Sequence, residues 1–324
     1  MIREVLPPTD DQLDAARRVI ADHLEETPSV TLSMRGRPVR AKLEGLQVTG
    51  SFKVRGALAA IDAAHRLEPD GAVITASAGN HGLGIAFAST TLDVRATVVV
   101  PANASAVKVK KLSQFDIELI QYGTSFDEAQ AHALELADRR SIRFVSPFND
   151  ADVIAGQSTV FDEFFRQSPG LEHLVVSVGG GGLISGAILM RRALGLDSLR
   201  ITGVQPEQSA ALYHVLRGAK MSDVVHHPTI ADGLAGGGDD GAVTNELIAT
   251  SSTPLVLVPE SEIRRGVREA AEYNGLVIEG SAAASYAAIT NDLIGDQVSR
   301  VGFVVSGRNI AHDLFVTLLQ EPFA

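Results

Sequence analysis

The chain has 324 residues, 45% hydrophobic and 21% charged, which suits one large globular domain or two that share a cleft and excludes a disordered chain. Its net charge of −11 argues against a nucleic-acid groove, and zero cysteines remove disulfides, thiolate nucleophiles and cysteine metal sites. No stretch approaches the roughly 20 uninterrupted apolar residues of a membrane span. Met1-Ile2-Arg3-Glu4 shows no export signal either, so a cytoplasmic protein with small-molecule partners is expected.

Leu13, Ala16, Ile20 and Leu24 recur at helical spacing after Asp10, which predicts a capped helix from there to His23, ended by Thr27-Pro28. An extended pair, Val30 to Leu32 and Val39 to Leu43, leads into a helix from Val54 to Leu67. Short buried strands then follow at Ala72 to Thr75, Arg95 to Val100, Ile117 to Tyr122 and Arg143 to Val145. Helices at His81 to Ser89, Ser105 to Phe115 and Phe126 to Arg139 separate them, the last opening on a Ser125/Glu128 capping box. The alternation resumes after Pro147-Phe148-Asn149-Asp150, the candidate domain boundary. Strands at Leu174 to Val178, Arg200 to Val204, Leu255 to Val258 and Val301 to Val305 alternate with helices at Leu183 to Ala193, Ser209 to Leu216, Glu260 to Tyr273 and Ala282 to Asp292. Two α/β units with parallel sheets are implied. The long irregular stretch from Lys220 to Gly241 is of a length that is usually functional.

Four segments have residues suited to chemistry. In Thr49-Gly50-Ser51-Phe52-Lys53-Val54-Arg55-Gly56-Ala57, Lys53 follows a turn and opens a helix among apolar neighbours, with Arg55 nearby. Both features disfavour the ammonium and prepare an amine nucleophile, whereas the competing reading is an ordinary exposed lysine. Ser177 to Leu183 places Gly179, Gly180, Gly181 and Gly182 between a strand and a helix, where free backbone amides could cup a phosphate. It fails the dinucleotide fingerprint, and no Walker-type motif occurs. Ser77-Ala78-Gly79-Asn80-His81-Gly82 and Ser306-Gly307-Arg308-Asn309 also follow strands, where open α/β sheets bind ligands. The first could hold a carboxylate; each segment alone is equally a capping turn. An imine-forming lysine, a phosphate cup without a nucleotide fingerprint and polar strand ends together suggest pyridoxal phosphate.

These segments, with Ile154-Ala155-Gly156-Gln157 and Thr229-Ile230-Ala231-Asp232-Gly233, resemble the threonine dehydratase and serine racemase family over nearly the whole chain. That family belongs to the fold-type II pyridoxal phosphate enzymes, related to the tryptophan synthase β subunit. The resemblance implies an α/β fold of two open domains with a cofactor cleft between them: a large pyridoxal-phosphate-binding domain of 1–52 and 147–324, and a small domain of 53–146. It implies that Lys53 is the Schiff-base lysine and the base for the substrate Cα proton. Phe52 packs on the cofactor ring, Asn80 bonds its 3-hydroxyl, Gly179 to Leu183 bind its phosphate and Ser306 faces its pyridine nitrogen. Ser77, Asn80 and His81 match the segment that binds the substrate carboxylate. A cytoplasmic homodimer is implied as well.

The expected reaction is dehydration of a 3-hydroxy amino acid, threonine or serine by default, to a 2-oxo acid and ammonia. The family commonly has Gly where this chain has Arg308, a candidate substrate contact, and an acidic metal ligand where it has Gln205. No metal site is therefore expected. Ser306 to Asn309, Glu279-Gly280 and the Gly236-Gly237-Gly238 run look more like the branch associated with hydroxyectoine utilisation, so a hydroxyectoine-derived substrate is one alternative. An amino-acid racemase is another, although the racemase pattern has a serine where this chain has Ala78. From another class, a binding protein could have kept the fold and lost the chemistry; product formation separates the two.

Overall fold

The structure, a computed structural model, describes residues 5–236, 238–295 and 300–321; Gly237 of the triple-glycine run and Met1 to Glu4 lie outside them. In chain order the elements are α1 (Asp10–His23), β1 (Ser29–Met34), β2 (Arg37–Lys42), α2 (Lys53–Leu67), β3 (Ala72–Ala76), α3 (Asn80–Leu92), β4 (Arg95–Val100), α4 (Ala106–Leu112), β5 (Glu118–Gln121), α5 (Phe126–Arg140) and β6 (Arg143–Phe144). They continue with α6 (Ala151–Gln167), β7 (His173–Ser177), α7 (Gly182–Ala193), β8 (Arg200–Pro206), α8 (Ala211–Val215), α9 (Val243–Thr250), β9 (Leu255–Val258), α10 (Glu260–Asn274), α11 (Gly280–Thr290), β10 (Val301–Val304) and α12 (His312–Gln320).

The chain divides into two compact units, one running to Glu25 and from Phe52 to Thr159, the other from Glu26 to Ser51 and from Val160 onward. The first holds a four-stranded parallel sheet in the order β5-β4-β3-β6. The second holds six strands in the order β1-β2-β10-β7-β8-β9, parallel except for the β1–β2 hairpin. The strands are short and their burial nearly continuous, as parallel strands covered on both faces require.

The break at 51/52 falls within one residue of the expected boundary, while the residues up to Glu25 and those from Pro147 to Thr159 group with the four-stranded sheet. The helix α1 belongs with the smaller sheet because Leu13, Ala16, Val19 and Ile20 join one apolar cluster with Val54, Leu58 and Ile61 of α2. Val153 and Ala155 of α6 join it too, so this unit extends past Pro147. Helix α6 itself has no counterpart in the sequence reading, although Val153, Ile154, Val160, Phe161, Phe164 and Phe165 recur at helical spacing on one face. Its start is encoded as well. The Asp150 carboxylate accepts from the amides of Asp152 and Val153 at 2.9 and 3.2 Å and caps the first turn.

Two caps differ from expectation. Thr9, not Asp10, caps α1, in a reciprocal box with Gln12. At α5, Ser125 accepts from the Glu128 amide, but the Glu128 carboxylate reaches back one residue further, to the amide and hydroxyl of Thr124. No helix among the described residues is long and apolar enough to cross a membrane.

Candidate active site

Lys53 is the first residue of α2, and close backbone crossings fix that end of the helix. A Cβ on Gly84 of α3 would lie 3.1 Å from the Lys53 carbonyl, and one on Gly156 of α6 would lie 2.4 Å from the Arg55 carbonyl. Only glycine lets both helices approach so closely. Arg55 is fully buried, its Nη1 donating to Thr159 Oγ1 at 3.1 Å, which anchors α2 to α6 a second time. Lys53 Nζ donates to the Pro147 carbonyl at 2.8 Å and lies 5.4 Å from the centroid of the Phe52 ring. The lysine is thus half-buried beside an aromatic face, its amine held on the Pro147 carbonyl.

In the same unit β3 leads through 77–79 into α3. Gly79 caps α3 without a side-chain bond, and Ser77 Oγ accepts from the Gly79 amide at 3.2 Å. A Cβ on Gly82 would meet the Ser77 carbonyl at 2.1 Å, so this tight return is also specified by glycine. His81 is buried, with Nε2 3.2 Å from the Val145 carbonyl. Burial and then the Lys53 charge push its pKa down to about 3, against the Val145 bond. Because a carbonyl only accepts, Nε2 bears the proton, and His81 is a neutral ring that offers a carboxylate no charge. Lys53, Phe52, Ser77, Asn80 and His81 therefore fall in one unit.

The glycine loop, Ser306 and Arg308 fall in the other. Gly181 caps α7 at φ 90°, and a Cβ there would press on Thr244 at 2.9 Å. Thr244 Oγ1 donates to the Gly180 carbonyl at 2.8 Å. A Cβ on Gly179 would lie 3.1 Å from the Gly233 carbonyl, so the Thr229 to Gly233 motif backs the loop. The amides from Gly179 to Leu183 meet no acceptor among the described residues. A run of backbone amides with no acceptor among the described residues, at a helix N-terminus, fits the phosphate of a cofactor.

Ser306 follows β10 and is buried. The next three residues are locked by backbone bonds: Ser51 and Gly307 form a bridge, Arg308 N donates to the Gly50 carbonyl at 2.9 Å, and Asn309 N donates to Glu279 Oε2 at 2.9 Å. The Arg308 side chain is exposed and makes no ion pair with Glu279 or Asp313 among the described residues. The Lys220 to Gly241 stretch is irregular apart from one short turn, and is tied down by Thr229 and Ile230 on Glu260 and by His226 and Gly236 on Ser209. No cluster of three or more His, Cys, Asp or Glu side chains among the described residues could hold a metal ion. Sequence reasoning missed Pro147 as the partner of Lys53 and Thr244 as the support of Gly180; neither sits in a motif.

Residues 20–307 match the family described as "Pyridoxal-phosphate dependent enzyme". The chain is 36% identical over 317 residues to an L-threonine ammonia-lyase of Thermotoga maritima, covering 97% of this chain and 78% of that protein. It is 30% identical over 323 residues to an L-threo-3-hydroxyaspartate ammonia-lyase of Saccharomyces cerevisiae, covering 98% and 97%. Among solved structures, the serine racemase of Dictyostelium discoideum superposes with a TM-score of 0.85 at 30% identity, covering 94% of this chain and 99% of that one. With the lysine-bearing helix and the glycine loop both in place, the chain belongs to the pyridoxal-phosphate dependent enzymes of fold type II.

Proposed function

We propose that the protein is a pyridoxal phosphate lyase that removes water from a 3-hydroxy amino acid, giving an enamine that hydrolyses to a 2-oxo acid and ammonia. The likeness to an L-threonine ammonia-lyase along nearly the whole chain supports the reaction class. The acceptor-free amides of Gly179 to Leu183 support the cofactor. When bound, pyridoxal phosphate stabilises the charge left on the substrate Cα after its proton is removed.

In this reading Lys53 carries the cofactor and takes the Cα proton. Phe52 packs on the cofactor ring, Asn80 bonds its 3-hydroxyl, Gly179, Gly180, Gly181, Gly182 and Leu183 bind its phosphate, and Ser306 serves its pyridine nitrogen. A serine hydroxyl there is neutral and does not enforce protonation as a carboxylate would, which suits elimination, where a leaving hydroxyl discharges the carbanion. Ser77 and Asn80 bind the substrate carboxylate, with His81 as a neutral member of that segment and Arg308 in reach of the substrate side chain. The unit with the six-stranded sheet is the phosphate-binding domain. The enzyme works as a cytoplasmic homodimer, which light scattering on the purified protein tests.

Threonine and serine are the default substrates, with a hydroxyectoine-derived compound the specific competitor. The experiment is a substrate panel assayed for ammonia and 2-oxo acid, and no release from any hydroxy amino acid would overturn the reading. Racemisation is the second reading, supported by the likeness to a serine racemase. It needs an acid on the ring face opposite the lysine, and Ala78 cannot transfer a proton. Chiral chromatography after incubation with L-serine should show pyruvate and little D-serine.

A further inference from the structure

We infer that Gln205 is a positioning residue for the phosphate-binding loop, replacing a sheet hydrogen bond that Pro206 removes. The inference rests on the reading that Gly179 to Leu183 take the cofactor phosphate. Strands β7 and β8 pair in parallel with Ser177 opposite Val204, and the next amide, Val178 N, donates to the Val204 carbonyl at 2.8 Å. In a parallel ladder the return bond comes from two residues further along, so the Val178 carbonyl should accept from the amide of residue 206. Residue 206 is proline and has no N–H. A buried carbonyl would be left without a partner next to the first glycine of the loop.

The side chain of Gln205 fills that place. It is 1% exposed, and its Nε2 donates to the Val178 carbonyl at 3.2 Å. Its Oε1 accepts from Tyr213 N at 2.7 Å, in the first turn of α8, whose N-cap Ala210 supplies no side-chain bond. One carboxamide thus satisfies the end of β7 and the start of α8, and both of its functions are used. An ionised carboxylate at the same position would set an acceptor against an acceptor at Val178. Fixing the Val178 carbonyl fixes the peptide that enters Gly179, and with it the aim of the loop amides.

The test titrates cofactor-stripped, refolding-competent protein with pyridoxal phosphate and with pyridoxal, which has the aldehyde and ring but no phosphate. In Gln205→Met the dissociation constant for pyridoxal phosphate should rise on the order of tenfold, the scale of one buried hydrogen bond, while that for pyridoxal stays put. Adding Pro206→Ala returns a backbone N–H to the ladder and should recover much of the loss. If Gln205→Met does not fold, Gln205→Glu keeps the shape, and its bound cofactor should show a shifted phosphorus-31 resonance. Unchanged phosphate affinity and resonance, or equal losses for both ligands without recovery, would overturn the inference. Failure of the wild-type protein to bind pyridoxal phosphate would instead overturn the reading on which it rests.

Discussion

Lys53 Nζ and the Pro147 carbonyl are 2.8 Å apart, a hydrogen bond that holds the lysine amine at the start of α2. If Lys53 carries the cofactor, the purified protein should absorb near about 410 nm, the region of a lysine-bound pyridoxal imine. Lys53→Ala should lose that band and all turnover while retaining its circular dichroism. A mutant with the band unchanged would remove Lys53 from the chemistry.

The crossings that hold α2 make a prediction separable from chemistry. Gly156→Ala drives a Cβ to 2.4 Å from the Arg55 carbonyl and 2.6 Å from Gly56 Cα, both backbone atoms that cannot rotate away. It should destabilise the fold by about 1–3 kcal/mol, the usual cost of overpacking, and lower cofactor content by shifting Lys53. Gly79→Ala meets nothing within 4 Å and its φ is negative, so its thermal midpoint should stay close to wild type. Equal midpoints for the two variants would contradict the crossing argument.

His81 and His173 set the direction of acid sensitivity. Burial depresses both, His81 to about 3 with help from Lys53 and His173 to about 4 with help from Arg200. An unfolded chain protonates these rings near their ordinary value of about 6.5, whereas the folded one does not. Stability is therefore fully present above about 6.5 and is lost as the pH falls toward 4 and then 3, by at most about 1.4 kcal/mol per pH unit for each ring. Denaturant titrations from pH 7 to pH 4 should show this slope, and His81→Gln should flatten it. An unchanged slope in that variant would mean the ring is protonated in the fold.

Gln205 also bears on cations. Hard divalent ions want anionic oxygen, and this carboxamide is neutral with both ends engaged; Glu207 is the nearest carboxylate along the chain. Activity is expected to survive EDTA and to gain nothing from Mg²⁺. Collapse with the chelator and recovery with Mg²⁺ would refute this.

What was legible in the sequence follows from how each signal arises. Strand–helix alternation depends on local periodicity, and Arg95–Val100 and Leu255–Val258 fall where that pattern predicts. The site motifs are read from residue type at fixed offsets: Gly82 answers a return within one turn and Gly181 its own positive φ, whereas Gly156 and Gly179 answer crossings with Arg55 and Gly233 that only the fold supplies. Helix α6 carries the same kind of signal as the other helices, with Val153, Ile154, Val160, Phe161 and Phe164 on one face directly after the Pro147 to Asp150 turn, so its pattern was legible although the sequence reading has no helix there. The Gln205 link was hidden: its meaning depends on a missing donor at Pro206 and on a partner 27 positions away, which no local pattern carries.

Arg308 gives the prediction with most bearing on substrate. Its charge could serve an ion pair with a nearby carboxylate such as Glu279 or Asp313, or a contact with the substrate. Glu279 Oε2 accepts instead from Asn309 N, and a Cβ on Gly307 would lie 2.5 Å from Glu279 Oε1, so that carboxylate sits against the backbone of the loop. The Arg308 amide is fixed on the Gly50 carbonyl while its side chain is exposed, which leaves an always-charged fork with five donors on a rigid base two residues past Ser306. If Arg308 reads the substrate, its fork suits a ligand with an anionic side chain. Arg308→Gly should lower kcat/KM for such a substrate by about 1.5–3 kcal/mol, the scale of a lost charge-assisted hydrogen bond. Serine turnover should change far less, because serine has no second anion to lose. Equal losses on every substrate with normal cofactor content would assign Arg308 to the architecture of the loop and leave threonine and serine as the substrates of choice.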